Sequence, residues 1–479
     1  MITIAESYRP SGNASLAEAL AGSASKHQFI YICIEVLSAR LEINSKIIAC
    51  AGSFNHTGED QLALLGGIEM AFGKYAVDYE QRVDYDRLRK ERLSKAKDQM
   101  EKDGLGALIT WDAASIRYLT SYYVTTPTRG GEMTFVVLPR NGKPILFGAP
   151  TPSEAERRMP WMEGRVRSSL GVPKVTARSP EDLGIIVGTV GSIMAEHGVE
   201  KEPIGLDGST LEMWYGQAFT NAGFEPVHAK PTLDEARLIK TADEIELMRI
   251  TCANSESAFA AIAEAIRPGI RECDLVGIGI KALYEEGDDH TEDLVCCSGY
   301  NTNPFTWSFT DKPLRPGDLI YIDVDGCTYM GYMSCVYRTF CCGKATSEQK
   351  ELYEECRGML YAGIGAIKDG NTTYDVVDKW PDSPSYWGFD NWLEVLPYAV
   401  GHGIGLSLHE GPGITPVAKM MNIPPVEFKE GMVIAIETWT GKRGGKDGVR
   451  LEEDVLVTKD GCEVLTRWPV DELMECWRA

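Results

Sequence analysis

Apolar and polar positions alternate along this chain in two ways. Some stretches repeat apolar residues every three or four positions, which predicts helices; shorter runs are continuously apolar or alternate with period two, which predicts strands. Tyr85 to Lys102 is charged and helical in period, Gly104 closes it, and Ala107–Thr110 is the strand expected next. Apolar runs at Thr134–Leu138 and Pro144–Phe147 flank Arg140-Asn141-Gly142-Lys143, and Asn-Gly in that setting predicts a hairpin. A helix around Leu183 to His197 and a strand at Ile204–Asp207 complete an α/β pattern, and Thr232 to Arg237 leads out of it. Ile245, Met248, Cys252, Phe259, Ile262 and Ile266 then recur at helical spacing until Pro268-Gly269 stops them, which makes the stripe a core face and Cys252 a small buried hydrophobe. A further helix opens with the capping-box pair Thr346 and Gln349 and closes at Asp369-Gly370.

One strand departs from the apolar rule. Pro316-Gly317-Asp318 turns into Leu319-Ile320-Tyr321-Ile322, which ends in Asp323-Val324-Asp325, and Gly331 to Phe340 reads as the returning strand of a hairpin. Side chains alternate along a strand, so Asp323 and Asp325 share a face, where two acids repel and lose hydration unless a cation lies between them. Three other metal-ligand types follow: His402 within Gly401-His402-Gly403, Glu437 at the end of the strand Met432–Ile436, and Glu452 opening the strand that runs to Val457.

Composition narrows the picture only a little. With 479 residues, 44% apolar and 25% charged, the chain has the make-up of a globular protein with room for two domains. A formal charge of -22 argues against nucleic acid or an anionic membrane as partner. Thirteen cysteines without the spacing of a disulfide framework, and no charged-then-apolar leader at the start, lead to the expectation of reduced thiols in a cytoplasmic protein.

The order of acid pair, His, Glu and Glu resembles the pita-bread enzymes: methionine aminopeptidases, Xaa-Pro peptidases and creatinase. The motifs that carry the resemblance are Gly317-Asp318 with Asp323, Gly331-Tyr332 with Arg338-Thr339-Phe340, His402-Gly403-Ile404-Gly405 with His409-Glu410, then Glu437 and Glu452. The resemblance implies a creatinase-like α/β N-terminal domain at 79–232 and an α+β pita-bread catalytic domain at 233–479. Residues 1–78 do not share it: their Gly, Ser and Ala clusters without a sustained period are expected to form an extension, disordered or loosely packed. It also implies a homodimer, and one divalent metal ion (iron, manganese or zinc) held by Asp323, His402, Glu437 and Glu452, to which resemblance to the dimethylsulfoniopropionate lyases adds Asp325. At the position of a second acidic ligand this chain has Cys335, which is either a sixth ligand or a buried strand cysteine.

The peptidases also use a His upstream of the Gly-Asp turn, and no His lies between His290 and His402 here. In that respect the chain is most similar to the dimethylsulfoniopropionate lyase branch, which has the Asp-x-Asp pair and a Thr-Asn-Pro-aromatic run like Thr302-Asn303-Pro304-Phe305. This resemblance implies a metal-dependent C–S lyase, or a hydrolase, acting on a small carboxylate-bearing substrate of onium or amino-acid type. Its alternatives are an Xaa-Pro dipeptidase or aminopeptidase and a catalytically inactive binding module. His409, Asp325 and Cys335 are then the catalytic candidates, His409 foremost because an imidazole ordinarily titrates near neutrality. Tyr300, Trp307, Trp387 and Trp392 are the substrate-binding candidates through cation–π contact, although the Pro-punctuated aromatic loop before His402 is equally explained by packing.

Overall fold

The computed structural model describes residues 83–124, 134–170, 180–208 and 212–477, so the extension expected at 1–78 lies outside the described residues. The first lobe is built around a six-stranded sheet. Helix α1 (Tyr85–Lys102) starts where Asp84 caps it, accepting from the backbone N–H groups of Asp86 and Arg87, and Gly104 reverses the chain at φ 69°. Strands β1 (Ala107–Thr110), β2 (Phe135–Pro139), β3 (Ile145–Phe147), β4 (Val166–Arg167), β5 (Ile204–Asp207) and β6 (Pro226–His228) lie in the order β4-β3-β2-β1-β5-β6. The hairpin expected at Asn141-Gly142 joins β2 to β3. Helices α2 (Pro180–Glu196) and α3 (Glu212–Asn221) follow the same sheet, and α4 (Lys230–Leu238) leads to the second lobe.

That lobe consists of two sheets with helices on their outer faces. Helix α5 (Ala242–Ala265), capped by the reciprocal pair Thr241 and Glu244, and helix α6 (Glu272–Glu285) cover β7 (Asp293–Ser298), β8 (Leu319–Tyr329) and β9 (Tyr332–Cys342), with β15 (Met474–Cys476) at the edge. Helix α7 (Ser347–Ile364), with the expected capping box, covers β12 (Val433–Thr440) and β13 (Val449–Val457). These two strands lie between β10 (Ala399–Gly403), which is followed by β11 (Glu410–Ile414), and β14 (Cys462–Val464).

Alternation along these strands separates packing from chemistry. Ile320, Ile322, Val324 and Val336 join the core under α5 and α6, and Ile434, Ile436, Leu451 and Val455 join the core under α7. The intervening positions face the other way, and they hold the acids. Three expected strand limits need correction. Glu437 does not end its strand and Glu452 does not open one: Thr438-Trp439-Thr440 and Val449-Arg450-Leu451 continue the pairing, and the two glutamates sit directly opposite each other in mid-sheet. Likewise β8 does not stop at Asp325, because Gly326 at φ 75° makes a bulge that lets it run on to Tyr329. No helix among the described residues is long and apolar enough to cross a membrane. Every described cysteine is free.

Candidate metal centre

Cross-strand register places the acids in rows. Asp293, Asp325 and Cys335 are opposed across β7, β8 and β9, and Val295, Asp323 and Tyr337 form the next row on the same face. On the facing sheet one row is Val400, Glu437 and Glu452, and the next is His402, Ala435 and Asp454. The two faces enclose a cavity of about 520 Å³ lined by Asp323, Asp325, Cys335, His402, His409 and Glu437 among others. Donor atoms of Cys335, His402 and Glu452 lie within 4.8 Å of one another, as do those of Asp323, Asp325 and Cys335.

The imidazole of His402 is aimed by its neighbours. Its Nδ1 donates to Gly403 O at 2.9 Å, which leaves Nε2 as a lone-pair donor 4.0 Å from Glu452 Oε1. Glycine is required beside it, because a Cβ on Gly403 would stand 1.9 Å from Gly411 O. The loop beyond is pinned at Glu410, which accepts from Lys240 Nζ at 2.9 Å and lies 3.4 Å from Arg237 Nε. Burial alone would push the Glu410 carboxyl up, but those two cations outweigh it and bring it below its usual range. His409 is thereby held with its ring 4.4 Å from that of His402.

Electrostatics shows what the cluster lacks. Burial, then the charge of Asp325, pushes the Asp323 carboxyl well above the usual range, and burial with Glu437 does the same to Glu452. Burial likewise takes Asp325 up to about 6 and Asp454 up to about 8, and it lowers His402. Asp323 Oδ1, His402 Nε2 and both carboxylate oxygens of Glu452 are buried with no hydrogen-bond partner among the described residues. Buried polar atoms are almost always partnered, so a convergent set without partners fits a cation, which would favour the charged form of every acid in it. Mixed oxygen, nitrogen and sulfur donors suit a divalent transition ion.

The structure brings the expected ligands Asp323, Asp325, Cys335, His402 and Glu437 to one cavity with His409 and buries Glu452 behind it, within 4.8 Å of the donor atoms of Cys335 and His402, but it divides the aromatic candidates. Trp307 lines the cavity. Trp387 lies outside the cavity lining: it is 1% exposed and its Nε1 donates to Trp439 O, so it belongs to the core under α7. Trp392 packs against the same core, and Tyr300 is turned to solvent under Lys312, outside the cavity lining. The aromatic loop is therefore mainly packing, with Leu396 and Pro397 as its contribution to the cavity wall.

Two residues escaped the sequence reading. Arg450 is buried between the rings of Phe305 and Tyr337, its guanidinium carbon 4.0 and 4.4 Å from their centroids, and forms an ion pair with Glu437. Asp454 accepts the Cys335 N–H through Oδ2 at 3.3 Å. Positions 450, 452 and 454 share a face with period two, and that was the available signal.

Comparison with known proteins agrees with this geometry. Residues 92–239 match the profile of the creatinase/prolidase N-terminal domain, and residues 246–459 match that of metallopeptidase family M24. The chain belongs to the pita-bread superfamily. Among pita-bread relatives, it is 30% identical over 238 residues to an Xaa-Pro dipeptidase of Pyrococcus furiosus, covering 49% of this chain and 65% of that protein. It is 25% identical over 292 residues to the uncharacterized peptidase YqhT of Bacillus subtilis, covering 60% and 79%. The structure of an Xaa-Pro dipeptidase from Bacillus anthracis superposes with a TM-score of 0.64 at 22% identity, over 81% of this chain and 99% of that one, which shows the shared fold. These relatives are named as peptidases, so the comparisons support the hydrolase side of the expectation and lend nothing to the lyase side.

Proposed function

We propose that this pita-bread protein is a metal-dependent hydrolase that cleaves the amide bond of a small dipeptide-like substrate. The observation that carries the reading is the convergent set of unpartnered buried donors from both sheets, beside a cavity of about 520 Å³. Asp323, His402, Glu437 and Glu452 would hold the ion, and the chemistry it would supply there is polarisation of a carbonyl and a lowered pKa of water. His409, fixed beside His402 by the Glu410 anchor, moves a proton to the leaving nitrogen. Arg450 holds Glu437 in place and keeps a cation in the cavity wall, while Leu396, Pro397 and Ile414 shield the site from water. The expected homodimer belongs to this proposal, and its solution mass tests it.

A second reading is kept for one observation. Trp307 and the exposed Asp293 flank the cavity, a pair suited to an onium group, as an eliminating enzyme would need. The deciding experiment loads purified protein with manganese, zinc or ferrous iron and offers Xaa-Pro dipeptides, other dipeptides and onium carboxylates in parallel. Metal-dependent release of free amino acids is expected. Turnover of the onium carboxylates alone would replace the hydrolase reading by the lyase one, and His409→Ala should lower dipeptide turnover about 100-fold or more with metal content unchanged.

A further inference from the structure

The two groups of potential ligands described above share one member. Cys335 belongs both to the group with His402 and Glu452 and to the group with Asp323 and Asp325, so its sulfur stands where the donors of the two sheets meet. From this geometry we infer that Cys335 is a thiolate ligand, and that the centre takes a single thiophilic divalent ion, zinc or ferrous iron, in place of a pair of ions that prefer oxygen.

Three features carry the inference. The first is orientation: the cysteine is opposed to Asp325 across the hairpin and buried, with Sγ 3.4 Å from Asp325 Oδ1, so its sulfur reaches the acids from the edge of the apolar cluster that also holds Cys252. Secondly, its backbone is fixed, because its N–H donates to Asp454 Oδ2, and Asp454 in turn lies 3.6 Å from the thiol of Cys252. The third is donor chemistry. A carboxylate has two oxygens with which to bridge two cations, whereas this thiol occupies the meeting point with one large, soft atom, and soft sulfur selects zinc or iron over manganese.

Coordination exchanges bonds simply. The S–H bond breaks as the sulfur–metal bond forms, and the proton passes to Asp325 Oδ1, which already accepts it, and then to water in the cavity. The inference depends on the preceding section only for the presence of a cation, and its test uses no substrate.

Full-length protein stripped of metal and titrated with cobalt(II) provides the probe. One cobalt per chain is expected, with a near-ultraviolet sulfur-to-cobalt charge-transfer band that Cys335→Ser abolishes. Because serine in a buried strand can fail to fold, Cys335→Asp is the second arm: it should lack the band and take up a second cobalt. Circular dichroism confirms folding in both. A wild-type cobalt protein without the band, a band that survives in Cys335→Asp, or two cobalt ions in the wild type would each overturn the inference.

Discussion

Glu452 and Glu453 are neighbours on β13, each almost fully buried at 0% and 1% exposure, and they could hardly be treated more differently. Glu453 points toward α7 and is fully employed: Arg338 Nη2 donates to it at 2.7 Å, the Tyr361 hydroxyl donates at 2.9 Å, and Thr466 adds a further bond. Glu452, one residue earlier on the opposite face, has no donor for either oxygen among the described residues. The chain can satisfy a buried glutamate here, and does so on one side only. An acid left bare beside three other bare or acidic groups is a site, while its saturated neighbour is scaffold. Burial and residue type do not separate the two; the donor inventory does.

Two substitutions break that contrast from opposite sides. Glu452→Gln keeps the shape and removes the charge that the ion requires, so metal content should fall to near zero and turnover should drop roughly a thousandfold, equivalent to several kcal/mol of transition-state stabilisation. Stability of the metal-free protein should not fall, since burial already favours the uncharged Glu452 carboxyl and neither of its oxygens loses a hydrogen-bond partner. Glu453→Gln leaves Arg338 buried without its carboxylate, and the expected cost is about 3–5 kcal/mol of stability, read by urea denaturation. If the metal-free Glu452→Gln protein is destabilised as much as Glu453→Gln, the division into site and scaffold is wrong. Chelation should act on the first face alone, lowering wild-type stability by about 2.7 kcal/mol relative to protein held at a hundredfold excess of metal over its Kd. Glu452→Gln should show no such difference.

Much of this organisation is legible in the sequence, and the reasons differ by element. Asp323, His402, Glu437 and Glu452 stand out because an acid or imidazole in an apolar strand is costly unless it has a partner. Register was less accessible. The strand ends at Asp325 and Glu437 were misplaced because Gly326 reads as a turn when it is a bulge, and because Thr438-Trp439-Thr440 is polar enough to resemble a loop while being fully paired. The aromatic loop shows a different limit. Trp307 and Trp387 look alike in sequence, and only the fold places one on the cavity and the other beneath α7. Asp454 went unread because an acidic run such as Glu452-Glu453-Asp454 looks like a solvated strand end, whereas all three are buried.

A third acid falls between the two glutamates and supplies the smallest expected effect. Asp207, at the end of β5 in the first lobe, is buried and accepts the Thr110 hydroxyl at 2.7 Å, with no basic group in an ion pair to it among the described residues. Burial, then the nearby Asp112 charge, pushes its carboxyl up to about 6 from an ordinary value of 3.8. The folded state therefore holds this proton more tightly than the unfolded chain. Its contribution to stability is complete below the ordinary value, declines as pH rises toward about 6, and is absent above that. Asp207→Asn keeps an acceptor for Thr110 and removes the titration. The variant's stability relative to wild type should accordingly grow between pH 4 and pH 6, by about 2 kcal/mol at most, and level off beyond. Other carboxylates titrate in this range, but they cancel in the difference between the two proteins. A flat difference across that interval would mean that Asp207 is served by Thr110 and Ser115 as fully as Glu453 is by its three donors, and that burial alone does not mark an acid as unsatisfied in this fold.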